Sequence, residues 1–163
     1  MKELLDYIEA EARANAAFHI ANADNLTRES NTLLNLLLAG AGGSLAFVAA
    51  LLQKTSPVPA WQPWAVGAAS AYLFVLAGLV VWKCLWVQDI WPPANEPGSF
   101  PLAGYTVEQI RQFDLQNKQQ CCDRNRARNE RIGAWLNRCR ALAAATPLVT
   151  AAAAWAAVAA AAA

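Results

Sequence analysis

Two groups of side chains in this sequence have types and spacings that could do chemistry. The first is basic: Arg124, Arg128 and Arg131 stand at i, i+4 and i+7, so on a helix they share one face. Forked guanidinium donors on one face suit a phosphate-bearing anion, which makes these three the candidate ligand-sensing residues. Pairing with acidic side chains, contact with anionic headgroups and simple solvation compete with that role. The second group is uncharged. Asn35, Ser44, Thr146, Thr150 and Ala154 lie in otherwise apolar stretches, and Thr146, Thr150 and Ala154 follow one another at four-residue spacing on one helical face. Repeated around the axis of an assembly, that face would line a narrow, uncharged conduit. The competing role is structural, with each hydroxyl bonding the carbonyl one turn earlier in its own helix.

No catalytic set accompanies them. There is one histidine, His19, and no GxSxG, HExxH, P-loop or GxGxxG pattern, so neither enzyme activity nor a cofactor is expected. Gly40-Ala-Gly42-Gly43 sits in an apolar run and reads as a small-residue packing patch. The four cysteines (Cys84, Cys121, Cys122, Cys139) show neither zinc spacing nor a CxxC pair, so reduced thiols and no metal are expected.

The elements that must position these residues follow from where charge is missing. Of the 163 residues only 15% are charged, and none lies in 33–53, 62–82 or 141–163. Each stretch can cross a hydrocarbon core about 30 Å thick at about 1.5 Å per helical residue. A soluble globular enzyme is thereby excluded. Met1-Lys2-Glu3 followed by some thirty mostly polar residues is no signal peptide. The expected layout is a cytoplasmic amphipathic helix (1–32), a first membrane span (33–53), a short external turn (54–60), a second span (61–86), a Pro-rich cytoplasmic linker (87–105), a cytoplasmic helix (106–140) and a third span (141–163). The fold class is an all-α membrane protein whose first and third spans continue long cytoplasmic helices.

Sidedness comes from Lys and Arg. The turn after the first span holds one basic residue, the segment Lys83–Arg140 holds nine, and residues 1–32 hold three. The positive-inside rule then puts the N-terminus and the middle segment in the cytoplasm and the C-terminus outside, as in a bacterial inner membrane. Trp61, Trp64, Trp82, Trp86 and Trp135 read as interfacial belts.

Along 1–32 no proline or glycine interrupts the helix, and Leu5, Ile8, Ala12, Ala16, His19, Ala23 and Leu26 form one face. Thr106-Val-Glu-Gln109 is a capping box opening the later helix. The early segment is formally −3 and Lys83–Arg140 is formally +3, so the two long helices are expected to run parallel with complementary charge. Their apolar stripes are too thin for an independent core. Self-association would complete it, with Asn15, Asn22, Asn25, Asn117 and Asn129 favouring one register. Pro147 should kink the third span near Ala143 and free a carbonyl there. From Ala151 to Ala163, 11 of 13 residues are alanine, which suits helix–helix contact better than lipid.

This layout, with the run ADNLTRESNTLLNLLLAGAGGSLAFVAALL leading into and through the first span, resembles small membrane effectors of bacterial anti-phage systems of the Pycsar, CBASS and Hailong types. The third, alanine-rich span departs from their usual two-span pattern. The resemblance implies membrane permeabilisation or ion conduction upon a nucleotide second messenger. The reading is therefore a homo-oligomeric channel or pore-forming effector whose partners are itself, the bilayer and a nucleotide signal, with no nucleic-acid duplex. A non-conducting interaction protein (toxin immunity or superinfection exclusion) and a holin-like lysis protein are its rivals.

Overall fold

A computed structural model describes residues 2–53, 58–59, 61–86, 89–91 and 104–162. Among these every regular element is a helix, and there is no strand. Helix α1 spans Lys2–Leu52, α2 spans Trp61–Val80 and runs into a π-helical turn over Val81–Leu85, α3 spans Val107–Ala144, and α4 spans Thr146–Ala162. Most of the external turn (54–60) and of the Pro-rich linker (87–105) lies outside the described residues.

The helices form two compact units. One consists of Met1–Leu26 with Val87–Ile132. In it, α1 and α3 pack in parallel on narrow stripes. Ala16, His19 and Ala23 of α1 and Cys122, Asn125, Asn129 and Ile132 of α3 are buried. The expected α1 face packs at Ala16, His19 and Ala23, whereas Ile8, expected on the same face, is exposed. The α3 start is also as expected: the Thr106 N–H donates to Gln109 Oε1 (2.9 Å) and the Gln109 N–H donates to Thr106 Oγ1 (3.3 Å). Gly104, at φ +92°, supplies the left-handed residue that turns the chain toward this cap.

The other unit consists of Thr27–Trp86 with Gly133–Ala163. Leu37, Ala41 and Leu51 of α1, Ala65, Ala69, Ser70, Leu76, Ala77 and Val80 of α2, and Leu136 and Cys139 of α3 make its core. Small residues allow the helices to approach closely. A Cβ placed on Gly40 would stand 3.1 Å from Leu73 Cδ1, and the buried Ser70 hydroxyl donates to the Ala41 carbonyl at 2.9 Å.

By length and composition two helices, α1 and α2 with its π turn, can cross a membrane, and α3 with α4 forms a third candidate if the bent pair counts as one span. That pair bends by 43°. The kink expected near Ala143 is present: the helix breaks at Ala145, and Thr146 donates to the Ala143 carbonyl that Pro147 cannot serve. The π turn at the end of the second span, where an extra residue is looped into the helix, was not anticipated in the sequence.

Candidate functional site

In the second unit, three contacts fix how α2 meets the α3–α4 pair. Lys83 Nζ lies 5.3 Å from the Trp135 ring centroid, the Tyr72 hydroxyl donates to the Leu142 carbonyl at 2.8 Å, and Trp61, Gln62, Ala65 and Val66 share a cleft with Thr150 and Ala154. Numbers fall along α2 as they rise along the other pair, so the arrangement is antiparallel. Trp135 is level with the Lys83 end of the second apolar stretch and Ala154 with its Trp61 end.

Two arginines sit just beyond Trp135, and their heads do not point along the apolar run. Arg138 lies over the Trp135 ring at 5.0 Å. Arg140 reaches Glu29 of α1 (2.8 Å) and the Asn137 amide oxygen (3.4 Å). Long stems that return a charged head to one end of an apolar helix are how such residues live at a membrane boundary.

The cleft has a volume of about 680 Å³ and is walled by Phe47 of α1, the Trp61 end of α2, and Thr146, Pro147, Thr150, Ala151 and Ala154 of α4. Three of the five pore candidates, Thr146, Thr150 and Ala154, thus stand together on one face, as their spacing predicts. Both hydroxyls are also engaged. Thr146 Oγ1 donates to the Ala143 carbonyl at 2.6 Å and Thr150 Oγ1 to the Thr146 carbonyl at 2.9 Å. Ala143 is the residue whose carbonyl Pro147 cannot serve, so Thr146 heals the break that its neighbour makes. Ser44 likewise donates to the Gly40 carbonyl, at 2.7 Å. Asn35 is exposed on α1, away from that cleft. Tyr72, which caps the Leu142 carbonyl at the bend, was not singled out from sequence; a lone tyrosine in an apolar run carries no spacing signal.

In the first unit the three sensing candidates have different surroundings. Arg124 is exposed, its guanidinium 4.0 Å from the Trp91 ring centroid. Arg128 is half-buried; its Nη1 donates to Asn129 Oδ1 at 3.3 Å, while its buried Nε has no partner. Arg131 is exposed. None of the three pairs with an acid of α1 among the described residues. That role belongs to Arg111, which bonds both Asp6 and Glu9. Its guanidinium, chiefly by hydrogen bonding, holds the Glu9 carboxyl below the usual carboxylate range, and the carboxylates in turn push Arg111 up.

Buried amides fix the rest. Asn129 Nδ2 donates to the His19 carbonyl at 2.8 Å. Asn125 takes the Trp91 N–H on Oδ1 (3.2 Å) and gives Nδ2 to the Trp91 carbonyl (2.9 Å), pinning one linker residue beside Arg124. Asn15 and Asn25 are exposed instead. None of the four cysteines is in a disulfide, and burial pushes the Cys122 thiol up. Among the described residues no cluster of three His, Cys, Asp or Glu could hold a metal ion.

The chain matches no protein-family model, no curated protein and no solved structure.

Proposed function

We propose that this chain is a homo-oligomeric membrane channel or pore-forming effector of the bacterial inner membrane, gated through its cytoplasmic helices and acting in phage defence. One observation carries the oligomer: α4, 17 residues long with 10 of them alanine, has no buried residue in a single copy. Alanine gains little from lipid, whereas its smooth surface lets helices approach closely, so the natural cover for α4 is protein. The exposed Asn35 amide, inside an apolar run, adds a second group that a neighbouring copy or water would satisfy.

The register supports three crossings. Trp135 and Trp155 are twenty positions apart, a rise of about 30 Å, the thickness of the hydrocarbon core. Trp61 and Trp82 bracket α2 by nearly the same length. We therefore place the third crossing at 135–155 instead of 141–163, with Arg138 and Arg140 reaching back to the cytoplasmic boundary and the last alanines beyond the outer one. Asn35, Ser44, Thr146, Thr150 and Ala154 are the candidate lining. Arg124, which lies over the exposed Trp91 ring, with Arg128 and Arg131 would receive a phosphate-bearing signal such as a nucleotide.

Liposome ion flux of purified protein tests conduction. Flux is expected, and Thr150→Trp is expected to reduce it with assembly intact; absence of flux under every nucleotide supplied would end the channel reading. A non-conducting interaction protein is the second reading. It is favoured by the fact that the Thr146 and Thr150 hydroxyl protons are already spent inside their own helix.

A further inference from the structure

Away from the apolar stretches, α1 carries a second apolar face that its own protomer does not cover. Leu4, Tyr7 and Phe18 are 62%, 63% and 64% exposed, and Ile8 is exposed beside them. Positions 4, 8, 11, 15 and 18 follow the alternating four–three spacing of a coiled-coil seam, with Glu11 and Asn15 in its middle. At 100° per residue this seam is turned by about a quarter of the helix from the Ala12–Ala16–His19–Ala23 face that packs on α3. A groove of about 510 Å³ runs along it, walled by Ile8, Glu11, Asn15 and Phe18 and closed on one side by Gln119. Large apolar side chains in contiguous exposure on a helix outside the membrane mark a contact surface.

The chemistry of the cover can be read from charge. The segment 1–32 is formally −3, and Glu11 on the seam has no ion-pair partner among the described residues, so an anionic lipid surface would repel this face. The complementary surface exists on α3 of the same unit. Phe113, Arg124 and Arg131 share an outward face, one apolar knob with two cations. The heights agree as well. The Asn129 amide, a short side chain, bonds the His19 carbonyl, so position 19 is level with 129 and Phe113 with the Leu4 end of the seam. Arg124 then stands within about one turn of Glu11, about 5 Å along the axis.

We propose that a second copy of this chain covers the Leu4–Phe18 seam, laying its Phe113–Arg124–Arg131 face along it in parallel. This rests on the oligomer reading and names its contact. Two different faces meet, so the contact is heterologous and each copy offers one face to each neighbour, the arrangement that closes rings. Leu4, Ile8 and Phe18 supply the apolar centre, Glu11 with Arg124 fixes the register, and Asn15 occupies the polar seam position that selects one alignment.

The test is the protein mass of the full chain in detergent micelles, measured by light scattering. The wild type is expected at a multiple of the 17.5 kDa protomer. Glu11→Arg is expected to weaken association at least tenfold and return the single-protomer mass, and Glu11→Arg with Arg124→Glu to restore the multiple. Phe18→Ser, which removes an exposed ring and leaves the α1–α3 pairing untouched, is expected to dissociate the assembly with unchanged helical circular dichroism. A multiple that survives Glu11→Arg and Phe18→Ser overturns this interface and leaves the channel reading standing. A folded double variant that stays dissociated overturns the Glu11–Arg124 pairing. A wild type of single-protomer mass overturns both the interface and the oligomer.

Discussion

The Tyr72 hydroxyl bonds the Leu142 carbonyl three residues before the helix breaks, and this joins the middle of α2 to the bend between α3 and α4. The break has a simple origin. Pro147 has no N–H for the Ala143 carbonyl, and its ring crowds that carbonyl. Thr146 takes the Ala143 oxygen, and Leu142 accepts from both Tyr72 and the Ala145 N–H. Replacing Pro147 with alanine should return a donor to Ala143 and reduce the 43° bend. Spin labels at Asn137→Cys and Val158→Cys, in a chain lacking its native cysteines, should then move apart. Tyr72→Phe should leave the bend in place but destabilise the protein by about 1 kcal/mol, the net worth of one hydrogen bond. If Pro147→Ala leaves the label distance unchanged, the bend is held by packing against α2 and not by the proline.

Acid should loosen the first unit through one residue. Glu9 bonds Arg111 and its carboxyl is held below its ordinary value of 4.5. A carboxyl depressed in the folded state stabilises fully above its unfolded pKa, and that contribution is lost as pH falls through the folded pKa. No pH dependence from this group is therefore expected between pH 6 and 8. Below the unfolded value, amide exchange in α1 around Glu9 should accelerate as protons compete with Arg111. Arg111→Gln should abolish that acid step and raise exchange at neutral pH. An acid step of equal size in Arg111→Gln would assign it to other carboxylates.

Much of this architecture was open to reading because its signals are local or periodic. The α1 face that packs could be counted off in threes and fours, and the α3 cap is a four-residue pattern whose two bonds both form. The candidate site was legible only as a spacing. Thr146, Thr150 and Ala154 do share a face, but that they wall a cleft with Phe47 and Trp61 depends on which helices meet, and no single-chain period carries that. The same holds for Arg111. It is one of many bases in a +3 segment, and only the register of two helices selects it over Arg124, Arg128 and Arg131 as the partner of α1. The exposed Leu4, Tyr7 and Phe18 are hard to read for a different reason. One stripe per helix is the usual assumption, and α1 carries two.

Asn125 should act as the tie for the linker beside the sensing candidates. Its side chain replaces the pair of hydrogen bonds a neighbouring backbone would give Trp91, and it is buried while doing so. Asn125→Ala should cost about 1–2 kcal/mol for two lost bonds. It should also release the Trp91 ring from Arg124, seen as a shift in tryptophan emission. Arg124→Gln removes only the cation–π contact, about 0.5–1 kcal/mol at an exposed site. If the two variants change the emission equally, the ring is positioned by the guanidinium and not by the amide.

The glycines of the first apolar stretch separate a contact made within the chain from a face left open. Gly40 faces Leu73, and a side chain there would meet it at 3.1 Å, so the α1–α2 contact tolerates little growth. Gly42 and Gly43 point to open space, with no atom within 4 Å of an added Cβ. Gly40→Leu should therefore force α1 from α2 and destabilise the fold by about 1–3 kcal/mol, the usual cost of overpacking. Gly43→Leu should leave the single copy unharmed and gain slightly in helix propensity. If close-packed helices from neighbouring copies use that smooth face, Gly43→Leu will lower the assembled mass and the ion flux while thermal stability holds. Unchanged mass and flux would show that Gly42 and Gly43 make no contact between copies, and the proposed assembly would then rest on α4 and the α1–α3 unit alone.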